Sequence, residues 1–97
     1  MRLVRLTIYG RVHGVGFRAF VEDEAMQRGL EGWVRNRRDG SVEALIAGDD
    51  RLVDEVIEAC RRGPSVARVN RTDVEEAKAD DLARRVPGER FSVLQTG

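Results

Sequence analysis

The spacing of apolar side chains changes character between Tyr9 and Arg18, and that change limits the folds open to this chain. Before it, Val4, Leu6 and Ile8 alternate with Arg5 and Thr7, the pattern of a half-buried strand over Arg2–Tyr9. After it, Phe17, Phe20, Val21, Glu24 and Ala25 recur at helical spacing. They predict a helix over Phe17–Arg28, with Gly29 as its stop. The join reads Gly10-Arg11-Val12-His13-Gly14-Val15-Gly16-Phe17-Arg18. A glycine-bearing turn between strand and helix can aim several backbone N–H groups at one point, where the positive end of the helix dipole also lies. That is the recipe for an anion site, most often a phosphate site.

Arg18 sharpens this reading. It falls in the first turn of the expected helix, where a cation opposes the macrodipole. Nothing local favours it there unless an anion binds nearby, and a guanidinium then adds a planar two-pronged grip. On the residues alone, a surface arginine after an ordinary tight turn fits as well. The loop is neither the dinucleotide fingerprint nor a P-loop, whose Lys-Ser/Thr ending is absent.

The rest of the chain continues the alternation of periods. Leu30–Arg38 predicts a second strand centred on Trp33 and Val34, and Asp39-Gly40 a two-residue hairpin loop. Ser41–Ala47 returns as a third strand, and Ala44-Leu45-Ile46-Ala47, apolar on both faces, suits a central position. An Asp then caps a helix over Asp50–Arg62 with a stripe of Leu52, Val53, Val56, Ile57 and Cys60, stopped by Gly63-Pro64. Val66–Glu75 predicts a fourth strand. Glu76–Glu89 reads as a loop with at most a turn of helix, and Arg90–Gln95 as a short fifth strand.

The order is βαββαβ plus a terminal strand. Two striped helices can cover one face of a mostly antiparallel sheet, an α+β, ferredoxin-like split βαβ sandwich. The helices are expected on crossovers from strand one to strand three and from strand two to strand four. That fold serves enzymes, RNA binders and regulatory domains, so it does not decide function.

Length and charge narrow the classes. The 97 residues are expected to form one domain, 1–97, with one modest core. Seventeen basic side chains balance seventeen acidic ones, which argues against a general nucleic-acid binder. No apolar run is long enough to span a bilayer and no signal-type leader is visible. Cys60, the only cysteine, excludes a disulfide framework, fits a cytoplasmic location and lies on a helical stripe, as a buried thiol would. His13, the only histidine, has no imidazole or thiolate companions for a transition metal, and no compact acidic constellation calls for Mg²⁺. No metal and no cofactor is expected, and so small a charged chain is expected to be a monomer.

Two stretches carry a family resemblance. Gly10-Arg11-Val12-His13-Gly14-Val15-Gly16-Phe17-Arg18 resembles the first signature of the acylphosphatase family. Gly32-Trp33-Val34-Arg35-Asn36-Arg37-Arg38-Asp39-Gly40-Ser41-Val42-Glu43 resembles the second. Their separation, Gly63-Pro64 and the full length also match, so the resemblance covers nearly the whole chain. It implies a small ferredoxin-like enzyme that hydrolyses the carboxyl–phosphate bond of acyl phosphates without a metal. It implies Arg18 as the phosphate-binding arginine and Asn36 as the residue holding the attacking water. It implies a phosphate cradle made by the backbone of His13, Gly14, Val15, Gly16, Phe17 and Arg18. The implied partners are a small-molecule acyl phosphate and inorganic phosphate, the latter as product and competitive ligand. His13 stands where Gln is frequent in the family, and Arg37 where a small hydroxyl residue often follows the Asn. Neither departure touches Arg18 or Asn36.

The implied chemistry is coherent from below. An acyl phosphate is a mixed anhydride with a good carboxylate leaving group, so the task is to hold the phosphoryl group, neutralise it and place water in line. Backbone donors with one arginine do the first two, and an Asn amide can orient water without titrating. No nucleophile or carboxylate dyad is required, and a phosphate oxygen of the substrate can take the water's proton.

Each actor has a plainer reading. Asn often serves turns, but Asp39-Gly40 already supplies the turn near Asn36. With a two-residue loop, Asn36 pairs with Glu43 and shares a face with Val34 and Leu45, leaving Trp33, Val42, Ala44 and Ile46 on the other. Periodicity does not say which face the helices cover, so the meeting of Asn36 with Arg18 is implied by the resemblance alone. Arg35, Arg37 and Arg38 read as a solvated edge that attracts anions. Trp33 reads as core or edge anchor. Two other functions share the fold. An RNA-binding module needs exposed aromatics on central strands, and a regulatory anion sensor keeps the cradle without turnover.

Overall fold

The computed structural model describes residues 1–97. The elements in chain order are β1 (Arg2–Arg11), α1 (Phe17–Gln27), β2 (Glu31–Asn36), β3 (Val42–Gly48), α2 (Asp50–Arg62), β4 (Arg68–Glu76) and β5 (Phe91–Val93). A short 3-10 helix, Ala79–Arg84, lies inside the stretch read as a loop with a turn of helix. The five strands form one sheet in the order β4-β1-β3-β2-β5. All pairings are antiparallel except β2 with β5. This is the ferredoxin-like α+β fold.

One expectation about topology is corrected. The helices ride on the β1-to-β2 and β3-to-β4 connections, not on crossovers from strand one to three and two to four. Each connection joins two parallel strands and leaves one place between them. β3 fills the place between β1 and β2, and β1 the place between β3 and β4. The apolar run Ala44–Ala47 is central because β3 has a neighbour on each side and side chains packed on both faces.

The core lies between the sheet and the two helices. Val4, Leu6 and Ile8 of β1 face Val21 and Ala25 of α1 and Val53, Val56 and Cys60 of α2, all fully buried. Each Val, Leu or Ile among them contributes about 1.5–3 kcal/mol on leaving water, and this burial drives the fold. Helix α2 is locally well specified. Asp49 accepts from the Arg51 and Leu52 N–H groups, and Arg61 and Arg62 sit at the negative end of the dipole. On the other sheet face Trp33 is fully buried beneath the 3-10 helix, and its indole N–H donates to the Asp81 carbonyl at 2.8 Å.

The β2–β3 hairpin differs from expectation by one residue. Arg37 N–H donates to the Ser41 carbonyl at 2.8 Å and Gly40 N–H to the Arg37 carbonyl at 3.1 Å. The loop is therefore Arg38-Asp39-Gly40, with Gly40 at φ 94°. The Asp39 carboxylate accepts from both the Ser41 hydroxyl and its N–H, which holds that carboxyl below the usual range and fixes the turn. Asn36 consequently pairs with Val42 rather than Glu43. One added loop residue moves every side chain of β2 to the other face relative to β3. Asn36 and Val34 share the helix-covered face with Val42, Ala44 and Ile46, while Trp33 and Arg35 share the opposite face with Leu45 and Glu43.

Candidate active site

Strands β1, β2 and β5 run parallel, so their C-terminal ends meet at one edge of the molecule. The glycine loop leaves the end of β1, Asn36 is the last residue of β2, and Leu94 and Gln95 follow β5. Between them opens a cleft of roughly 650 Å³, large enough for a phosphate group with a small attached acyl group.

One wall is the start of α1. Gly14 and Gly16 take left-handed φ angles of 71° and 77°, and no other residue of the loop does. This alternation of hand curls the peptide N–H groups toward one side. Helix α1 has no side-chain cap and no acidic residue in its first turn, unlike α2. No backbone N–H from Gly14 to Ala19 finds an acceptor within the chain. A helix start of this kind presents its orphan donors and its positive end to whatever occupies the cleft.

Arg18 and Asn36 both line this cleft. The register of the three-residue loop is what brings Asn36 to the helix face, and Arg18 reaches across from the first turn of α1. An Arg18 Nη1–H donates to the Leu94 carbonyl at 3.2 Å, which steadies the guanidinium against the residues after β5. Gly97 N–H donates to the Asn36 carbonyl at 3.0 Å, and Leu94 N–H to the Val34 carbonyl at 2.8 Å.

The remaining cradle residues divide. Gly14, Gly16 and Phe17 line the cleft, whereas Val15 packs its side chain against the core. His13 points elsewhere: its Nε2 lies 2.7 Å from the Ser41 carbonyl. A carbonyl only accepts, so Nε2 carries the proton in this bond. The same carbonyl takes the Arg37 N–H, so one oxygen joins the glycine loop to the hairpin that carries Asn36.

The expected arginine edge is corrected in part. Glu43, nearly buried on the opposite sheet face, holds Arg35 at 2.7 Å and Arg37 at 2.8 Å, with Arg5 at 3.1 Å. Only Arg38 of the three is exposed without a carboxylate partner. The aromatics needed for base stacking are not displayed. Trp33, Phe17 and Phe91 are buried, and Tyr9 lies under the Arg71 guanidinium at 4.3 Å. Burial, aided by the nearby Glu24 charge, pushes the Cys60 thiol up to about 12, so it is inert at neutral pH.

Sequence reasoning missed the far side of the cleft, which Glu22, Val86, Glu89 and Val93 line. Glu22 carried a signal: it lies one helical turn beyond Arg18 on the same face of α1.

The acylphosphatase family model matches residues 4–92. The chain belongs to the acylphosphatase family. The acylphosphatase of Rhodopseudomonas palustris (strain BisB18) is 61% identical over 92 residues, 95% of this chain and 93% of that relative. The acylphosphatase of Bradyrhizobium diazoefficiens is 54% identical over 94 residues, 97% of this chain and 95% of that one. The crystal structure of acylphosphatase from Bacillus subtilis superposes with a TM-score of 0.82 at 40% identity, covering 97% of this chain and 99% of that one. Acylphosphatases are hydrolases of acyl phosphates, and this chain is an enzyme of that class. No helix of this acylphosphatase is long and apolar enough to cross a membrane.

Proposed function

We propose that residues 1–97 act as a single monomeric domain in the cytoplasm. It hydrolyses the carboxyl–phosphate bond of acyl phosphates without a metal, in the cleft between the glycine loop and the end of β2. The observation that carries this reading is the run of backbone N–H groups from Gly14 to Ala19 without intrachain acceptors, opening onto the cleft that Arg18 and Asn36 also line. Those donors and the guanidinium bind the phosphoryl oxygens and offset their charge, which in a partly dry cleft is worth far more than in water. The Asn36 amide holds a water in line with the bond to be broken. The water oxygen bonds to phosphorus as the bridging P–O bond breaks and the carboxylate leaves. The water's proton passes to a phosphate oxygen, so no side chain has to titrate.

The test is hydrolysis of benzoyl phosphate and acetyl phosphate with chelator present, run beside Arg18→Gln. The expected result is turnover that is insensitive to chelator and nearly abolished in the variant, with a raised KM. Phosphate binding by a folded wild-type protein that hydrolyses neither substrate would replace this reading with an anion-sensing domain.

A further inference from the structure

Beyond the phosphoryl end, the cleft has a second half with its own chemistry. Val86 and Val93 are 46% and 40% exposed, and both line it. Two carboxylates, Glu22 and Glu89, line it beside them, and neither forms an ion pair. Arg18 is the only cation in the lining, and it stands at the helix start beside the unpartnered N–H groups.

The two glutamates have defined places in the fold. Glu22 follows Arg18 by one turn on α1, away from the glycine loop. Val86-Pro87-Gly88-Glu89 is a type II turn, with Gly88 at φ 88° and the Glu89 N–H donating to the Val86 carbonyl at 3.0 Å. The buried Ser92 hydroxyl accepts from the Val86 N–H and donates to Glu89 Oε1 at 2.7 Å. The turn therefore presents Val86 and Glu89 together, and the Ser92 hydroxyl anchors one oxygen of the exposed Glu89 carboxylate.

We propose that this half of the cleft receives the acyl group and selects acyl phosphates whose acyl part is uncharged, rejecting those that carry a second anion. The proposal rests on the acyl-phosphate reading and names its substrate class. The valines offer apolar contact to an alkyl or aryl group. A distal carboxylate or phosphate on the substrate faces Glu22 and Glu89 with no cation to receive it. Like charges about 8 Å apart at a protein surface lower binding on the order of thirtyfold per carboxylate without salt and a few-fold at physiological salt. The phosphoryl grip is unaffected, so the discrimination falls on KM more than on kcat.

The matched pair of probes is benzoyl phosphate and 4-carboxybenzoyl phosphate, which share the benzoyl ring, release aryl carboxylates of similar acidity and differ in one remote carboxylate. The expected result is a kcat/KM at least tenfold higher for benzoyl phosphate at low salt, with the gap narrowing as salt is added. In Glu22→Gln/Glu89→Gln the ratio of the two kcat/KM values moves toward one, through the KM of the carboxylated substrate. Equal kcat/KM values in the wild-type protein, or a ratio that the double substitution leaves in place, would overturn the selectivity while leaving hydrolysis intact. Failure to hydrolyse either compound would overturn the acyl-phosphate reading, and the selectivity with it.

Discussion

His13 ties the glycine loop to the β2–β3 hairpin with a single hydrogen bond, from Nε2 to the carbonyl that also closes the hairpin carrying Asn36. Removing that donor frees the loop to drift from the hairpin. His13→Ala is expected to lower kcat several-fold, as loss of one hydrogen bond of about 1 kcal/mol would. His13→Gln, whose amide N–H can reach the same carbonyl, is expected to restore most of it; kinetics of the two variants side by side checks this. Asn36→Ala is expected to keep phosphate affinity and cut kcat by roughly 10²–10³, the scale of one preorganised polar group. Full rate in that variant would remove the water-holding role. Arg18 and the glycine loop were legible as a candidate anion site from their place at a strand-to-helix junction, because that junction is local. The face carrying Asn36 was not, because it turns on whether the hairpin loop holds two residues or three. Asp39-Gly40 fits both, and the Ser41 hydrogen bonds to Asp39 decide it.

At the scale of elements, the β2–β3 hairpin is braced from behind by Glu43. Burial alone would raise its pKa, but the Arg35 and Arg37 guanidiniums outweigh that and hold it below the ordinary carboxylate range. A depressed native value means the stabilising contribution is complete above the unfolded pKa and fades as pH falls toward the native one. Urea unfolding should therefore show stability falling as pH drops below about 4.5, the ordinary glutamate value. Glu43→Gln should flatten part of that slope and cost about 1–2 kcal/mol at neutral pH, since it leaves the mostly buried Arg35 and the more exposed Arg37 without their shared carboxylate. Strand and helix order was readable from apolar period, and α2 was readable to the residue because Asp49 and Gly63 mark both its ends. After β4 only a loop with a turn of helix was readable, since the 3-10 helix there buries no residue of its own and is held to the sheet by the Trp33 indole bond and the Arg5–Asp81 ion pair.

For the molecule as a whole, the cleft and the fold share a free-energy balance. A ligand that binds only the folded form raises its stability by an amount set by concentration over Kd. Inorganic phosphate at about a hundred times its Kd should raise Tm by on the order of 10 °C. Thermal melts with and without phosphate check this, and the shift should shrink in Arg18→Gln. The topology gathers the ends of β1, β2 and β5 at the cleft, and so places the start of β1 at the other end of a ten-residue strand. Ten residues of strand span about 30 Å, close to the molecule's longest dimension of 29 Å. Met1 thus stands across the whole body from the cleft, while Gly97 is hydrogen-bonded to the residue at its mouth. Anything attached by engineering meets these two positions very differently. An affinity handle or surface tether ahead of Met1 leaves the cleft clear, whereas the same attachment after Gly97 pulls on the segment that steadies Arg18 and Asn36.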